Sequence, residues 1–210
     1  MKRVLLIRHG ESHLNAKGDC FSGLADTPLS DAGRVQAKRL RPLLETLPID
    51  AVYASPLCRA EETARLALPG FSQSVQTAHC LLEFDYGDYD GLSYADFKDD
   101  DPVIQQWKHN PASLCFPHGG CISHHADQAF NALEELVEHA DGNVFACFSH
   151  KTTIRLIVSK VLSLPLDYFR RVPCGNASVT TLCFEQGLFS VESVNLTATF
   201  FTASSNGRAR

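Results

Sequence analysis

The tetrapeptide Arg8-His9-Gly10-Glu11 follows directly on the apolar run Val4-Leu5-Leu6-Ile7, which puts a guanidinium and an imidazole where a buried strand ends. Short Val/Leu/Ile runs without alternation read as strands covered on both faces, and in open α/β sheets ligands collect at the carboxyl ends of such strands. Gly10 permits a tight turn there. Taken alone, the four residues are as compatible with a polar loop closing a strand as with a phosphate site. A second imidazole stands in the same setting, because Ser149-His150 follows the continuous apolar run Val144-Phe145-Ala146-Cys147-Phe148. In a parallel sheet both strand ends lie on one edge, so His9 and His150 can meet in space. Neutral imidazole is a nucleophile near neutral pH, and a guanidinium fork holds two phosphate oxygens without losing its charge. The chemistry suggested is phosphoryl transfer.

These residues need a scaffold, and the rest of the chain supplies an alternating pattern. Ser30 is an N-cap for a helix running through Arg34, Ala37, Leu40 and Leu44, which Pro48 closes. Residues 49–54 read as a strand, Ser55-Pro56 as a turn, and 58–68 as a helix ended by Pro69-Gly70. Residues 75–79 form a short strand, and the Gly- and Asp-rich stretch 83–91 has no regular reading. The stretch 99–120 carries Pro102, Pro111, Pro117 and paired glycines, which predicts a loop with at most short helical pieces. Helices over 123–139 and 152–162 flank the second apolar strand, and 178–184 with 188–195 form a hairpin around Gly187. The expected fold class is α/β, a three-layer α/β/α sandwich on a mostly parallel sheet. One domain is expected over residues 1–203, with a lid-like segment at about 84–121 and a disordered tail at 204–210.

Composition narrows the partners. A formal charge of −5 and no Lys/Arg cluster argue against a nucleic-acid surface, which would need many cationic phosphate contacts. The N-terminal apolar run is too short for a signal peptide and no later stretch would span a bilayer, so a cytoplasmic protein without membrane contact is expected. The eight cysteines contain no Cys-x-x-Cys pair, which predicts free thiols in a reducing compartment, with Cys147 acting as a small buried hydrophobe. His118, His124 and His125 lie near Cys115 and Cys121, but without a zinc-ligand spacing, so neither a metal nor another cofactor is expected.

Three motifs stand in order: Leu6-Ile7-Arg8-His9-Gly10-Glu11-Ser12 with Asn15, then Ser55-Pro56-Leu57-Cys58-Arg59-Ala60 with Thr63-Ala64, then Phe148-Ser149-His150. Together they resemble the histidine phosphatase superfamily, also called the phosphoglycerate mutase-like fold, over nearly the whole chain. The resemblance implies that His9 is the nucleophile, forming a phosphohistidine that water hydrolyses, and that Arg8 and Arg59 hold the phosphate oxygens. It further implies hydrogen bonds from Asn15 and Ser22, backbone approach at Gly23, and stabilisation of the transferring group by His150 as a cation. Glu83, in Glu83-Phe84-Asp85-Tyr86-Gly87-Asp88-Tyr89-Asp90-Gly91, matches the family's general acid; a solvated acidic loop or a hard-cation site are the other readings of this stretch. The aromatic residues Phe84, Tyr86, Tyr89 and Trp107 would either pack or stack on a substrate ring.

Two positions depart from the pattern. Lys151 follows His150 where many relatives have glycine, and Cys121-Ile122 stands where relatives carry Glu-Ser. Scaffold stretches such as Leu47-Pro48-Ile49-Asp50-Ala51-Val52-Tyr53 and Leu162-Ser163-Leu164-Pro165 are similar to the α-ribazole-5'-phosphate phosphatases of cobalamin biosynthesis. The expected partner is therefore a small phosphomonoester, with α-ribazole 5'-phosphate first. Alternatives are a mutase-type phosphotransferase, a broad-specificity sugar or nucleotide phosphatase, and an inactive relative that binds a phosphorylated ligand. Mutases carry Glu-Arg-His-Tyr-Gly where this chain reads Glu83-Phe84-Asp85-Tyr86-Gly87, which favours hydrolysis. The oligomeric state stays open, a homodimer included.

Overall fold

The computed structural model describes residues 1–18, 20–72 and 74–197, so the tail expected at 204–210 lies outside the described residues. Strand β1 (Lys2–Arg8) alternates its apolar side chains between two clusters, Val4 and Leu6 in one and Leu5 and Ile7 in the other. Both faces are thus covered, as an apolar run without alternation requires. The chain continues through α1 (Asp31–Lys38), α2 (Arg41–Leu44), β2 (Ala51–Ala54), α3 (Cys58–Ala67), β3 (Gln76–Thr77), α4 (Pro102–His109), α5 (Ile122–His139), β4 (Val144–Ser149), α6 (Lys151–Val161), β5 (Val179–Glu185) and β6 (Leu188–Leu196). The sheet order is β3-β2-β4-β1-β5-β6. Pairings from β3 through β1 are parallel, and β5 and β6 add an antiparallel hairpin at one edge. On one face Leu40, Leu44, Ala60 and Ala64 pack from α2, α3 and their approach; on the other, Leu133, Val137, Ile154 and Ile157 pack from α5 and α6. The result is the expected three-layer α/β/α arrangement.

Local chemistry explains the boundaries. Ser30 caps α1 by accepting the Gly33 N–H at 3.0 Å, and its hydroxyl donates to Glu11 Oε1 at 2.6 Å, which ties the helix start to the loop after β1. The single helix expected through Leu44 is instead two, because Pro42 at the start of α2 has no N–H to continue the ladder. β3 is shorter than expected and sits exposed at the sheet edge.

The stretch 99–120 departs most from the sequence reading. It holds an eight-residue helix, α4, started by Asp101, whose side chain accepts the Val103 and Ile104 N–H groups, with Pro102 at the first helical position. Prolines read as breakers here act partly as a start signal. The expectation of eight free thiols is also corrected: Cys115 and Cys121 form a disulfide across a tight turn, with Cα atoms 3.9 Å apart, while Cys20, Cys58, Cys80, Cys147, Cys174 and Cys183 are free. Phe116 N–H donates to Gly120 O inside that turn, which brings the two thiols together. Residues 84–121 pack through a third, aromatic cluster containing Phe21, Phe84, Tyr86, Trp107, Phe116 and Phe169. Its rings meet edge-on or tilted, with Phe21 5.0 Å from Tyr86 and Trp107 5.6 Å from Phe169. Among the described residues no helix is long and apolar enough to cross a membrane.

Candidate active site

Strands β1 and β4 are parallel neighbours in a register that pairs Arg8 with Ser149, so the next residue of each leaves the sheet at the same edge. The His9 N–H donates to Ser149 O at 3.0 Å, and the His9 and His150 rings lie 5.1 Å apart between centroids. His9 Nδ1 is 2.6 Å from the Gly10 carbonyl. A carbonyl only accepts, so Nδ1 carries the hydrogen and Nε2 keeps its lone pair. The Gly10 N–H donates to Thr63 Oγ1 at 3.0 Å, linking the first motif to the second. A Cβ on Gly10 would overlap the Gly33 carbonyl oxygen, so only glycine fits between β1 and α1.

Burial, followed by the charges of Arg59 and Arg8, pushes His9 well below the ordinary histidine value. The expected neighbouring cations do keep it neutral, but desolvation acts first. His150 is likewise pushed well below that value by burial and then by Arg59, which works against the cation expected there. His150 Nε2 lies 2.7 Å from Ser55 Oγ, which also accepts the Leu57 N–H at 3.3 Å. That contact engages Nε2 and leaves the other ring nitrogen of His150, Nδ1, facing away from Ser55. That nitrogen is buried and has no hydrogen-bond partner among the described residues. A buried, unpaired ring nitrogen beside a nucleophile is a group that a bound substrate would satisfy.

The two arginines expected to hold phosphate are both buried. Arg8 Nη1 donates to Cys174 O at 2.8 Å, and Arg59 donates from Nη1 to Ala25 O at 2.9 Å and from Nη2 to Gly23 O at 2.7 Å. The Nε of each is buried without a partner. Ser22 lines the cavity with its Oγ buried and without a partner among the described residues. Asn15 uses Oδ1 to accept from Ser12 N–H and Asn176 Nδ2, which leaves its amide hydrogens for the cavity that it lines. Gly23 departs from expectation. Its N–H is taken by Asp90 Oδ1 at 2.7 Å, and a Cβ there would come within 2.7 Å of Phe84 O, so its smallness serves loop packing and not backbone approach to phosphate.

Glu83 is buried and lines the cavity. Its Oε1 accepts from Phe84 N–H at 2.8 Å and from Thr153 N–H at 3.1 Å, and Oε2 accepts from Thr152 N–H at 3.1 Å, which seats the carboxyl on the first turn of α6. A solvated acidic loop does not describe it. Asp90 serves structure instead, accepting the Gly23 and Ala25 N–H groups at 2.7 Å each. Among the described residues no three His, Cys, Asp or Glu side chains converge as a metal site would. His118 faces Asp88 at 2.9 Å and His125 faces Thr153 Oγ1 at 2.9 Å.

The cavity at this edge holds about 340 Å³, and its walls include groups that sequence reasoning missed: Tyr94, Lys108, Thr152, Arg155 and Arg170. Ser55 was in view as part of a turn without a role. Its place at the carboxyl end of β2, which pairs with β4, is the signal that would have put it beside His150.

Residues 4–197 match the sequence profile of the histidine phosphatase superfamily (branch 1). The chain is 32% identical to an acid phosphatase of Mycobacterium tuberculosis over 93% of each chain. It is 31% identical to an adenosylcobalamin/alpha-ribazole phosphatase of Salmonella typhimurium, covering 86% of this chain and 91% of that one. The alpha-ribazole phosphatase structure from Shigella flexneri superposes with a TM-score of 0.82 at 26% identity, over 92% of this chain and 96% of that one.

Proposed function

The chain belongs to the histidine phosphatase superfamily, branch 1, and from that membership and the site geometry we propose that it hydrolyses a small phosphomonoester through a phosphohistidine at His9. The observation that carries this reading is the Nδ1 hydrogen bond of His9 to Gly10 O, which leaves Nε2 unprotonated between buried arginines. Nε2 attacks phosphorus in line, and the P–N bond forms as the ester P–O bond breaks. Glu83 supplies a proton to the departing alkoxide. The same carboxylate then takes a proton from water, whose oxygen attacks phosphorus and returns the His9 lone pair. Arg8, Arg59 and hydrogen bonds from His150, Ser22 and Asn15 neutralise the equatorial oxygens, where a preorganised donor is typically worth about 3 to 4 kcal/mol in the transition state.

Hydrolysis is favoured over transfer to a second sugar acid because Phe84, standing where mutases have arginine, is fully buried in the aromatic cluster. Segment 84–121 walls the leaving-group side as a lid. Scaffold similarity nominates α-ribazole 5'-phosphate as substrate, with Tyr86, Tyr94 and Trp107 offering flat surfaces along the cavity. The relatives named acid phosphatase and adenosylcobalamin/alpha-ribazole phosphatase are nearly equally similar, at 32% and 31% identity. The pocket walls therefore decide the substrate.

The test is steady-state turnover of p-nitrophenyl phosphate and α-ribazole 5'-phosphate by the wild-type and His9→Ala proteins. The substitution is expected to lower kcat by about 10³-fold or more, with circular dichroism unchanged. Residual turnover within about tenfold of wild type would show that another group attacks phosphorus.

A further inference from the structure

Five cationic side chains line the cavity, Arg8, Lys108, Lys151, Arg155 and Arg170, against the single carboxylate of Glu83. The chain as a whole is acidic, at −5, so this surplus is local. Arg8 serves the phosphate end, and one anionic phosphoryl group does not account for the rest. Lys108 has an exposed partner in Asp99, 3.7 Å away. Arg155 and Arg170 have no ion-pair partner among the described residues, and neither is fully exposed to water.

Their positions are held from behind. Arg155 Nε donates to Val172 O at 2.8 Å, while its two terminal nitrogens make no hydrogen bond among the described residues. Arg170 Nη2 donates to Lys108 O at 2.7 Å, and its guanidinium lies 5.2 Å from the Trp107 ring centre. Arg155 also opposes the charge of both Arg8 and Arg170, so the three guanidiniums share one field. Lys151, Thr152 and Arg155 line the cavity from one face of α6, a helix that begins directly after His150. At 1.5 Å per residue, Arg155 stands about 6 Å further along that helix than Lys151, roughly one turn from the phosphate end. Unpaired guanidiniums anchored along a cavity wall are a site for a planar or tetrahedral oxyanion.

We propose that Arg155 and Arg170 form a second anion subsite, so that the preferred substrates are phosphomonoesters carrying a further oxyanion, a carboxylate or a second phosphate, a few bonds from the ester. This rests on the phosphatase reading and refines its substrate class. It ranks such substrates above α-ribazole 5'-phosphate, whose nucleoside part carries no anion.

The experiment compares kcat/KM within matched pairs. 3-Phosphoglycerate against glycerol 3-phosphate and O-phosphoserine against O-phosphoethanolamine isolate a carboxylate; fructose 1,6-bisphosphate against fructose 6-phosphate isolates a second phosphate. At least one kind of pair is expected to favour the more anionic member by about tenfold or more, mainly through KM. In the Arg155→Met/Arg170→Met double variant that advantage is expected to fall below about threefold, and Arg155→Lys with Arg170 intact is expected to keep part of it. A merely structural role would depress both members of a pair alike and leave the ratio standing. The inference is overturned if no pair exceeds about twofold in the wild type, or if the advantage persists in the double variant. p-Nitrophenyl phosphate separates the two levels: His9-dependent turnover without a pair preference removes only the subsite, whereas no turnover of any ester removes the phosphatase reading and the subsite with it.

Discussion

His9 and His150 occupy equivalent strand-end positions and differ in which neighbour holds their ring nitrogens. Gly10 O takes the Nδ1 hydrogen of His9 and leaves a nucleophilic Nε2, whereas Ser55 takes up Nε2 of His150 and leaves Nδ1 toward the substrate side. The difference between the two imidazoles thus follows from one carbonyl and one hydroxyl. Glu83 is the other residue whose environment decides its role, because its oxygens are spread over the first turn of α6 within the cavity wall. Glu83→Gln is expected to lower kcat/KM for alkyl phosphates by about 10² or more, and that for p-nitrophenyl phosphate by much less, since nitrophenolate departs without a proton. Equal losses on both substrates would remove Glu83 from the acid role. Arg8, His9, Arg59, Glu83 and His150 were all legible from motif residues. The engagement of the Gly23 N–H was not, because its partner Asp90 lies 67 residues away.

At the scale of elements, the site depends on β1 and α1 lying against each other at Gly10 and Gly33. A Cβ on Gly33 would overlap the carbonyl oxygen of Glu11, in the loop directly behind His9. Gly33→Ala is expected to destabilise the protein by about 1 to 3 kcal/mol and to lower kcat, as the loop moves to relieve the overlap. Urea unfolding with an unchanged midpoint would show that the loop yields freely. The sequence announced α1 through Ser30, whose cap the structure contains. It hid α4, because an Asp-Pro start reads as punctuation when further prolines, Pro111 and Pro117, follow it closely. The disulfide was hidden for a related reason: the turn joining Cys115 and Cys121 depends on main-chain bonds that residue types do not announce.

Across the whole molecule, parallel pairing of β1 with β4 makes two distant sequence motifs into one site, and that adjacency was inferred from two apolar runs alone. The antiparallel hairpin on the other side of β1 was visible as two short strands, but its docking edge was not. The same layering pulls three histidines below the ordinary value, His9, His150 and His125, each chiefly by burial and the last to about 4. In the unfolded chain they take up protons as pH falls through about 6.5, while the folded chain resists until lower pH, so the unfolded state binds more protons in that window. Stability therefore falls as pH drops below about 6.5, with His125 alone contributing on the order of 3 kcal/mol by pH 4. The urea midpoint is expected to be lower at about pH 5.5 than at about pH 7.5; a higher one would mean that these rings are not buried neutral.

Covalent capture of the phosphoryl group is the step on which everything else rests. Rapid alkaline quench during turnover of a ³²P-labelled ester, followed by peptide mapping, measures it directly. The expected result is an acid-labile, alkali-stable label on the peptide containing His9, absent from His9→Ala. Turnover without any such label, or label on a different histidine, would contradict the mechanism.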